Sequence, residues 1–256
     1  MTIGQSNFAR AMRKRLITAG LVSAGMVAAV AASAADLPIN PPVVGAHYNW
    51  SGCYVGGFFG WGVANDWRTS DLNGYNPGGQ SPWVFSLNSS PTGGGYAGCN
   101  WQPWAGGVVL GIEGEGGYLS LSGPGIQPQA GSITDASRIG TGYGLVAGRF
   151  GWAFYEKILV YGKVGVAFFN DSSALTDGAL PGGPMIAQGS RSQSPLAYGG
   201  GVEYPLSDHW IGRAEYLAFD RGNSYLATGV VGGATFSWKE DPSIVQTFKL
   251  GAAYKF

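Results

Sequence analysis

Charged residues are scarce in this chain of 256 residues, where Asp, Glu, Lys and Arg together make up 12% and the two signs balance at 15 each. A protein that binds nucleic acid through its phosphates carries a clear excess of Lys and Arg. That excess is missing, so we exclude nucleic acid as a partner.

Histidine and cysteine are also scarce, with two of each. Neither His47 nor His209 has a second ligand at the spacing of a metal site. The chain contains no Gly-x-Ser-x-Gly motif, and the glycine clusters 93–95 and 199–201 lead into neither a helix nor a Lys-Ser/Thr pair. We therefore expect no catalytic residues, no metal and no cofactor.

Long apolar runs are absent outside the N-terminus, where four basic residues precede the apolar stretch Leu16–Val30. The small residues Ala32-Ser33-Ala34, or Ser33-Ala34-Ala35 one position later, complete the pattern of a cleaved secretory signal peptide. Cleavage removes only positive charges and leaves 11 Lys and Arg against 15 Asp and Glu. No cysteine follows the cleavage site directly, so we do not expect a lipid anchor.

We therefore divide the chain into a signal peptide at 1–35, a proline-containing periplasmic leader at 36–49 and one domain at 50–256. The domain is rich in glycine (45 in the whole chain) and in aromatic residues, a composition that suits closely packed strands. Eight strands are predicted: Gly52–Ala64, Gly93–Asn100, Gly106–Leu121, Thr141–Phe154, Ile158–Asn170, Pro195–Leu206, Trp210–Asp220 and Ser243–Phe256.

The connections between these strands alternate strictly in length. The segments 65–92, 122–140, 171–194 and 221–242 are long and rich in Gly, Ser, Pro and Asn, whereas the other three connections are very short. Tight turns on one side and long loops on the other are typical of an up-and-down barrel that spans a membrane. We expect the long segments to be mobile, surface-exposed loops.

The last strand shows a period of two, which indicates different surroundings on its two faces. Apolar residues Phe248, Leu250, Tyr254 and Phe256 share one face, and Lys249 lies on the other. An aromatic residue at the end of a closing strand suits the membrane interface. We expect aromatic residues at both membrane interfaces, including Trp50 and Trp104 on the short-turn side and Phe219 on the long-loop side.

The strand charges all lie on the face opposite the apolar residues. They comprise four of each sign: Glu113, Glu115, Glu203 and Glu215 with Arg149, Lys163, Arg213 and Lys249. The interior of an eight-stranded barrel is only wide enough for side chains. We therefore predict a barrel-interior charge network that fills the barrel with ion pairs, and the alternative is a gated pore or proton path.

Five motifs resemble the small outer-membrane β-barrel proteins of Gram-negative bacteria. They are Trp50-Ser-Gly-Cys-Tyr-Val-Gly-Gly, Gly98-Cys-Asn-Trp-Gln, Gly111-Ile-Glu-Gly-Glu, Gly200-Gly-Val-Glu-Tyr-Pro-Leu and Leu250-Gly-Ala-Ala-Tyr-Lys-Phe. The chain is most similar to the alphaproteobacterial outer membrane protein β-barrel domain group, which shares its architecture with the OmpA transmembrane domain. The resemblance implies eight antiparallel strands, an outer-membrane location and a role in envelope integrity.

The resemblance also implies partners. They are outer-membrane lipid and lipopolysaccharide, together with periplasmic chaperones and the barrel-assembly machinery, for which Phe248, Leu250, Tyr254 and Phe256 resemble the assembly signal. Separately, the positions of Cys53 and Cys99 on two neighbouring strands predict a disulfide in the oxidising periplasm, and the alternative is two free thiols. The sequence does not identify a ligand for the loops.

The predicted function is that of an all-β structural barrel that displays four long loops. A first alternative is a small porin-like diffusion pore. A second is a soluble lipocalin-like barrel, which would turn its apolar faces inward around a ligand.

Overall fold

The computed structural model describes residues 48–103, 107–129, 131–155 and 157–256, which form thirteen strand segments. They are β1 (Gly52–Asp71), β2 (Trp83–Trp101), β3 (Val108–Leu119), β4 (Leu121–Ile126), β5 (Ile133–Ile139), β6 (Gly142–Phe154), β7 (Ile158–Asp177), β8 (Met185–Gln193), β9 (Leu196–Pro205), β10 (Trp210–Phe219), β11 (Tyr225–Val231), β12 (Ala234–Asp241) and β13 (Ile244–Lys255). No helix in these ranges is long and apolar enough to cross a membrane. The predicted signal peptide and all but the last two residues of the predicted leader lie outside them, as do His47 and Trp104.

The segments form two eight-stranded antiparallel rings stacked end to end. The lower ring runs β1, β2, β3, β6, β7, β9, β10, β13 and closes where β13 pairs with β1. The upper ring runs β1, β2, β4, β5, β7, β8, β11, β12 and closes where β12 pairs with β1. Three strands, β1, β2 and β7, pass through both rings. At the other five places in the barrel wall, one strand ends at the boundary between the rings and a separate strand continues in the other ring. This confirms the predicted eight-stranded up-and-down barrel.

The prediction of long mobile loops is wrong for most of the four segments 65–92, 122–140, 171–194 and 221–242. Most of their residues belong to strands, which build the upper ring. Their Gly, Ser, Pro and Asn residues are common in loops, but many of them lie here on strands. The connections that remain at the top, which we call the tips, are 72–82, 127–132, 178–184 and 232–233; residue 130 in the second of them lies outside the described ranges.

The outer surface changes from apolar to polar between the two rings. In the lower ring, outward side chains such as Ile112 and Phe150 are at least 60% exposed. Between the aromatic residues at the two ends of this ring, none of the described residues that point outward is charged. Phe59, Trp61, Tyr118 and Phe168 mark the upper limit of this band. Beyond it the outward residues are mostly polar. We therefore place the lower ring in the membrane and the upper ring in water. The lower ring turns its apolar face outward, whereas the lipocalin-like alternative requires apolar faces that point inward.

Two aromatic residues predicted at the membrane interface lie inside the barrel instead. Trp50 and Phe219 are both 0% exposed. Phe219 follows the alternation of β10, in which odd-numbered residues point inward. Trp50 precedes β1 and folds into the lower mouth, where it packs with Val109 and Ile211.

Large and small residues alternate across the β1–β2 pair on its inner face. Tyr54 lies opposite Gly98, and Tyr96 lies opposite Gly56. A Cβ atom at Gly98 would lie 2.6 Å from the Tyr54 hydroxyl, and one at Gly56 would lie 2.6 Å from Cζ of Tyr96. The glycines therefore give these rings room to lie across the sheet inside the barrel.

Candidate functional site

The eight charges predicted to face inward lie together inside the lower ring. Each of these side chains is at most 7% exposed, and they come from β3, β6, β7, β9, β10 and β13. Alternation along each strand directs them inward because the opposite face meets lipid. The structure thus assembles the full predicted set: Glu113, Glu115, Arg149, Lys163, Glu203, Arg213, Glu215 and Lys249.

Glu113 is the centre of this charge network. Its two oxygens accept a pair of hydrogen bonds from the Arg213 guanidinium, at 2.7 and 3.1 Å. Lys163 Nζ lies 2.7 Å from Oε1, and Arg149 Nη1 lies 3.2 Å from Oε2. The Tyr54 hydroxyl donates to the same carboxylate at 2.7 Å. One carboxylate therefore connects three cations from three different strands.

The other three carboxylates complete the network. Glu203 Oε1 lies 2.7 Å from Arg149 Nη2 and 2.6 Å from Arg213 Nη2. Lys163 Nζ also lies 2.9 Å from Glu115 and 3.2 Å from Glu215.

The last cation, Lys249, is bonded to Glu115, and its Nζ lies 3.6 Å from Glu215. The result is one connected group with no net charge, which satisfies the requirement that buried charges be paired and hydrogen-bonded.

Aromatic rings cover the network, and sequence reasoning missed their role. The guanidinium carbons of Arg213 and Arg149 each lie 4.0 Å from a ring centroid, that of Tyr96 and that of Tyr161 respectively. Tyr161 also donates from its hydroxyl to Glu215 at 2.7 Å. The signal was available, because Tyr161 lies two residues before Lys163 and therefore on the same face of β7.

An apolar cluster closes the lower mouth of the barrel below the charge network. Trp50 packs with Val109, Leu159, Tyr161 and Ile211. Its backbone N–H donates to the side chain of Gln102 at 3.0 Å. The mouth on the short-turn side is therefore filled by packed side chains around a fully buried indole.

A second buried polar group, which sequence reasoning missed entirely, lies in the upper ring. We call Asp135, Asp171 and Glu240 the acid layer; they are 0%, 1% and 0% exposed. The Thr69 hydroxyl lies 2.6 Å from Asp135 Oδ2 and 2.8 Å from Glu240 Oε2. Both oxygens of Asp171 lack a hydrogen-bond partner among the described residues. The acid layer is thus unlike the charge network, because no basic side chain pairs with it there.

Burial raises the pKa of all three carboxyls in the acid layer. For Asp171 the pKa rises to about 7, and burial is the cause. The pKa of Glu240 rises well above its ordinary value through burial and, secondly, through the charge of Asp135. The pKa of Asp135 is raised by burial as well. These groups lie beyond the aromatic band, outside the membrane-spanning part of the barrel.

The upper ring is closed above the acid layer by a second apolar cluster. Trp83, Ile133, Leu175 and Trp238 are each at most 1% exposed and pack together with residues of β8 and β11. The inside of the barrel therefore alternates along its axis between apolar and polar layers. Each of these layers consists of buried side chains of the described residues.

The cysteines and the one described histidine lie near the short-turn end. Cys53 and Cys99 are register partners on β1 and β2 and form a disulfide, with a Cα–Cα distance of 3.9 Å. Both are on the outer face. The ring of His209 stacks on Tyr254 at a centroid distance of 5.4 Å. Within the described ranges, no cluster of three or more His, Cys, Asp or Glu side chains could hold a metal ion.

The residues predicted as an assembly signal share the outer face of the barrel at its closing strand. Phe248, Leu250, Tyr254 and Phe256 are between 38% and 72% exposed. β13 pairs with β1 over twelve positions, and the Phe256 N–H donates to the Cys53 carbonyl at 3.0 Å. This placement presents all four side chains to lipid, while their role in assembly stays a prediction.

Known proteins match this chain over most of its length. The family model described as "outer membrane protein beta-barrel domain" matches residues 21–256. The 31 kDa outer-membrane immunogenic protein of Brucella melitensis is 27% identical over 94% of this chain and 97% of that relative. The 25 kDa outer-membrane immunogenic protein of the same species is 28% identical over 86% and 85% respectively.

Among solved structures, the outer membrane protein OprG from Pseudomonas aeruginosa is similar, with a TM-score of 0.48 and 14% identity. The match covers 82% of this chain and 98% of OprG.

Proposed function

Because the chain belongs to the outer membrane protein beta-barrel domain family and resides in the Gram-negative outer membrane, we propose that it is a structural barrel, closed to solutes and without catalytic activity. The observation that carries this proposal is the connected charge network, which occupies the interior of the lower ring. Apolar clusters around Trp50 and Trp83 close the interior below and above it.

Conductance in planar lipid bilayers tests the closed barrel against the diffusion-pore alternative. We expect no stable channels from the folded protein, because ions would have to displace eight paired charges and two apolar clusters. A general porin reconstituted in the same bilayers provides the positive control. Stable, reproducible channels from heat-modifiable, folded protein would establish the pore instead.

We propose that the upper ring is the part displayed at the cell surface. On β7 it extends nine residues beyond Phe168, or about 30 Å along the strand. Relatives are named outer-membrane immunogenic proteins, and a packed extension of this kind provides a surface that antibodies can bind.

Labelling of single cysteines in intact cells tests this orientation. Ala179→Cys is at an exposed tip of the upper ring, and Asp208→Cys is in a short turn at the opposite end. The native cysteines are paired and should not react. We expect a membrane-impermeant maleimide to label Ala179→Cys, and to label Asp208→Cys only after the outer membrane is broken. The reverse pattern would invert the topology.

We also propose that the barrel contributes to envelope integrity. A strain lacking the protein should be more sensitive to detergent and to chelation of divalent cations, because the outer membrane loses a lipid-embedded component. Complementation with the wild-type gene provides the control. Unchanged sensitivity in the deletion strain would remove this part of the proposal.

We further propose that the outward residues of β13 are read during assembly by periplasmic chaperones and the barrel-assembly machinery. Deletion of Phe256 should lower the amount of folded protein in the outer membrane. Phe236→Ala removes an aromatic side chain of the same size from β12 in the upper ring and provides the control. Normal membrane levels of the Phe256 deletion would contradict the assembly role.

A further inference from the structure

The wall of the upper ring has few backbone pairs between β8 and the chain that leads into β11. The register between these two strands contains a single pair, Gln188 with Thr228. Below that pair, residues 189–193 of β8 lie beside segment 221–224, which belongs to no strand. We call this part of the wall, 189–193 with 221–224, the seam.

Two side chains of β8 bridge the seam. The amide of Gln193 donates to the Asn223 carbonyl and accepts from the Asn223 N–H, both at 2.8 Å. Arg191 Nη1 donates to the Ser224 carbonyl at 3.0 Å. The seam is therefore held by hydrogen bonds of side chains, and a change in the partner of Arg191 removes one of the three.

The register of β8 against β7 places Arg191 directly opposite Asp171. Residues in such positions share one face of the sheet, with Cβ atoms about 5 Å apart, which an arginine side chain can easily span. Asp171 points inward, is 1% exposed and has no hydrogen-bond partner for either oxygen among the described residues. Arg191 is exposed and extends to Ser224 instead. A buried carboxyl and a cation that is bonded elsewhere thus lie within reach of each other.

Arg191 is the cation that the described strands place on the inward face next to Asp171. The basic residue of the neighbouring strand β5, Arg138, pairs with Ser172 and points outward. Burial raises the pKa of Asp171, and the amide of Gln193 offsets part of that rise. The other titratable groups around Asp171 are acidic or neutral: Asp135 on β5, Tyr143 on β6, Tyr225 on β11 and Glu240 on β12.

We propose that Asp171 and Arg191 form a proton-controlled latch, a contact that holds the seam closed only while Asp171 is protonated. When Asp171 loses its proton, an unpaired carboxylate inside the barrel is costly. Arg191 then turns from the Ser224 carbonyl to this carboxylate, because charge-assisted hydrogen bonds to a carboxylate are stronger than one to a carbonyl. The seam loses one bridging hydrogen bond and segment 221–224 loosens. The latch belongs to the upper ring and is independent of whether the barrel conducts.

Titration of the Asp171 carboxyl by ¹³C NMR, on the folded barrel in detergent micelles, tests the contact that forms at high pH. Arg191→Gln should raise the midpoint by about one pH unit, because the ionised carboxylate loses its partner. Arg191→Lys keeps a cation opposite Asp171 and should keep the midpoint near that of the wild type. Arg138→Gln is the matched control and should leave the midpoint unchanged, because Arg138 lies on the outer face. An unchanged midpoint in Arg191→Gln would overturn the latch.

Amide exchange in the wild type tests whether the seam opens. The Asn223 N–H donates across the seam to Gln193, whereas the Leu72 N–H donates to the Ser237 carbonyl at 3.1 Å, between β1 and β12. Between pH 5 and pH 8 we expect the protection factor of Asn223 to fall about tenfold more than that of Leu72. Equal falls would mean that the upper ring loosens as a whole and would also overturn the latch. Heat-modifiable migration shows that each variant is folded.

Discussion

The two buried polar groups of this barrel differ in how their buried carboxyl groups are stabilised. The charge network in the lower ring contains four carboxylates and four cations, and each cation lies within 4 Å of at least one carboxylate. The acid layer in the upper ring contains three carboxylates and no basic partner among the described residues. The charge network is therefore stabilised by ion pairs, whereas the acid layer is stabilised when its carboxyl groups bind protons.

The geometry around Thr69 supports this difference. Its hydroxyl has one hydrogen but lies within hydrogen-bond distance of both Asp135 and Glu240. Thr69 can donate to only one of them, so the other contact is a hydrogen bond only if that carboxyl carries a proton. Two carboxyls that share one hydroxyl inside a protein are most stable when one of them is neutral.

The largest expected effect comes from removing the centre of the charge network. Glu113→Gln leaves one uncompensated positive charge in the lower ring, and we expect the free energy of unfolding to fall by about 3–5 kcal/mol. The measurement is urea unfolding in lipid vesicles, followed by tryptophan fluorescence. Asp135→Asn is the matched change in the acid layer. It should cost less than about 1 kcal/mol, because it replaces a group that favours the neutral form. Equal losses for the two variants would erase the distinction between the regions.

A smaller effect on the stability of the upper ring is expected from a change in pH, and its direction follows from the raised pKa of Asp171. The folded-state pKa of Asp171 is about 7, above the ordinary value of about 3.9, so the folded protein holds this proton more tightly than the unfolded chain. The resulting stabilisation is complete below about pH 4 and is lost as the pH rises through about 7. The upper ring should therefore exchange its amide hydrogens faster at pH 8 than at pH 5, beyond the intrinsic effect of pH on exchange.

The variant Asp171→Asn isolates this contribution. It should reduce the difference in protection of the upper ring between pH 5 and pH 8, because the amide does not titrate in this range. Protection in the lower ring should stay the same in both proteins, since its charges are paired. If the variant and the wild type show the same pH dependence, Asp171 is not the group that titrates.

The lower ring was predictable because its two faces meet very different surroundings. In β7, Val164, Val166 and Phe168 face lipid while Lys163 faces inward, so polarity alone reports which way each residue points. The same contrast placed all eight network charges on the inner face. It could not show every pairing, because some of them, such as Arg213 with Glu113 and Lys249 with Glu115, join strands that are not neighbours in the sheet.

The strands of the upper ring were not predicted because their alternation is the reverse of that in the lower ring, with polar residues on the outer face and apolar residues on the inner face. Beyond Phe168 the outer face meets water, so Asn170 and Ser172 point outward while Leu175 points inward. A search for apolar residues outside and polar residues inside finds a break at the membrane boundary and assigns a loop. The inward set Ile133, Asp135, Ser137 and Ile139 still has a period of two, which a search without an assumed polarity would detect.

The smallest effect tests the hydroxyl that joins the acid layer. Thr69→Val keeps the shape of the side chain but removes the donor shared by Asp135 and Glu240, and we expect a loss of about 1 kcal/mol in the free energy of unfolding. The loss should be larger at pH 8 than at pH 5, because at low pH the protonated carboxyls can donate to each other. Thr92→Val is the matched control; its hydroxyl donates to the Tyr118 carbonyl at 2.7 Å and not to a carboxyl, so its cost should not change with pH. A pH-independent cost for Thr69→Val would mean that the acid layer does not depend on protons, and that the two polar groups of the barrel differ only in composition.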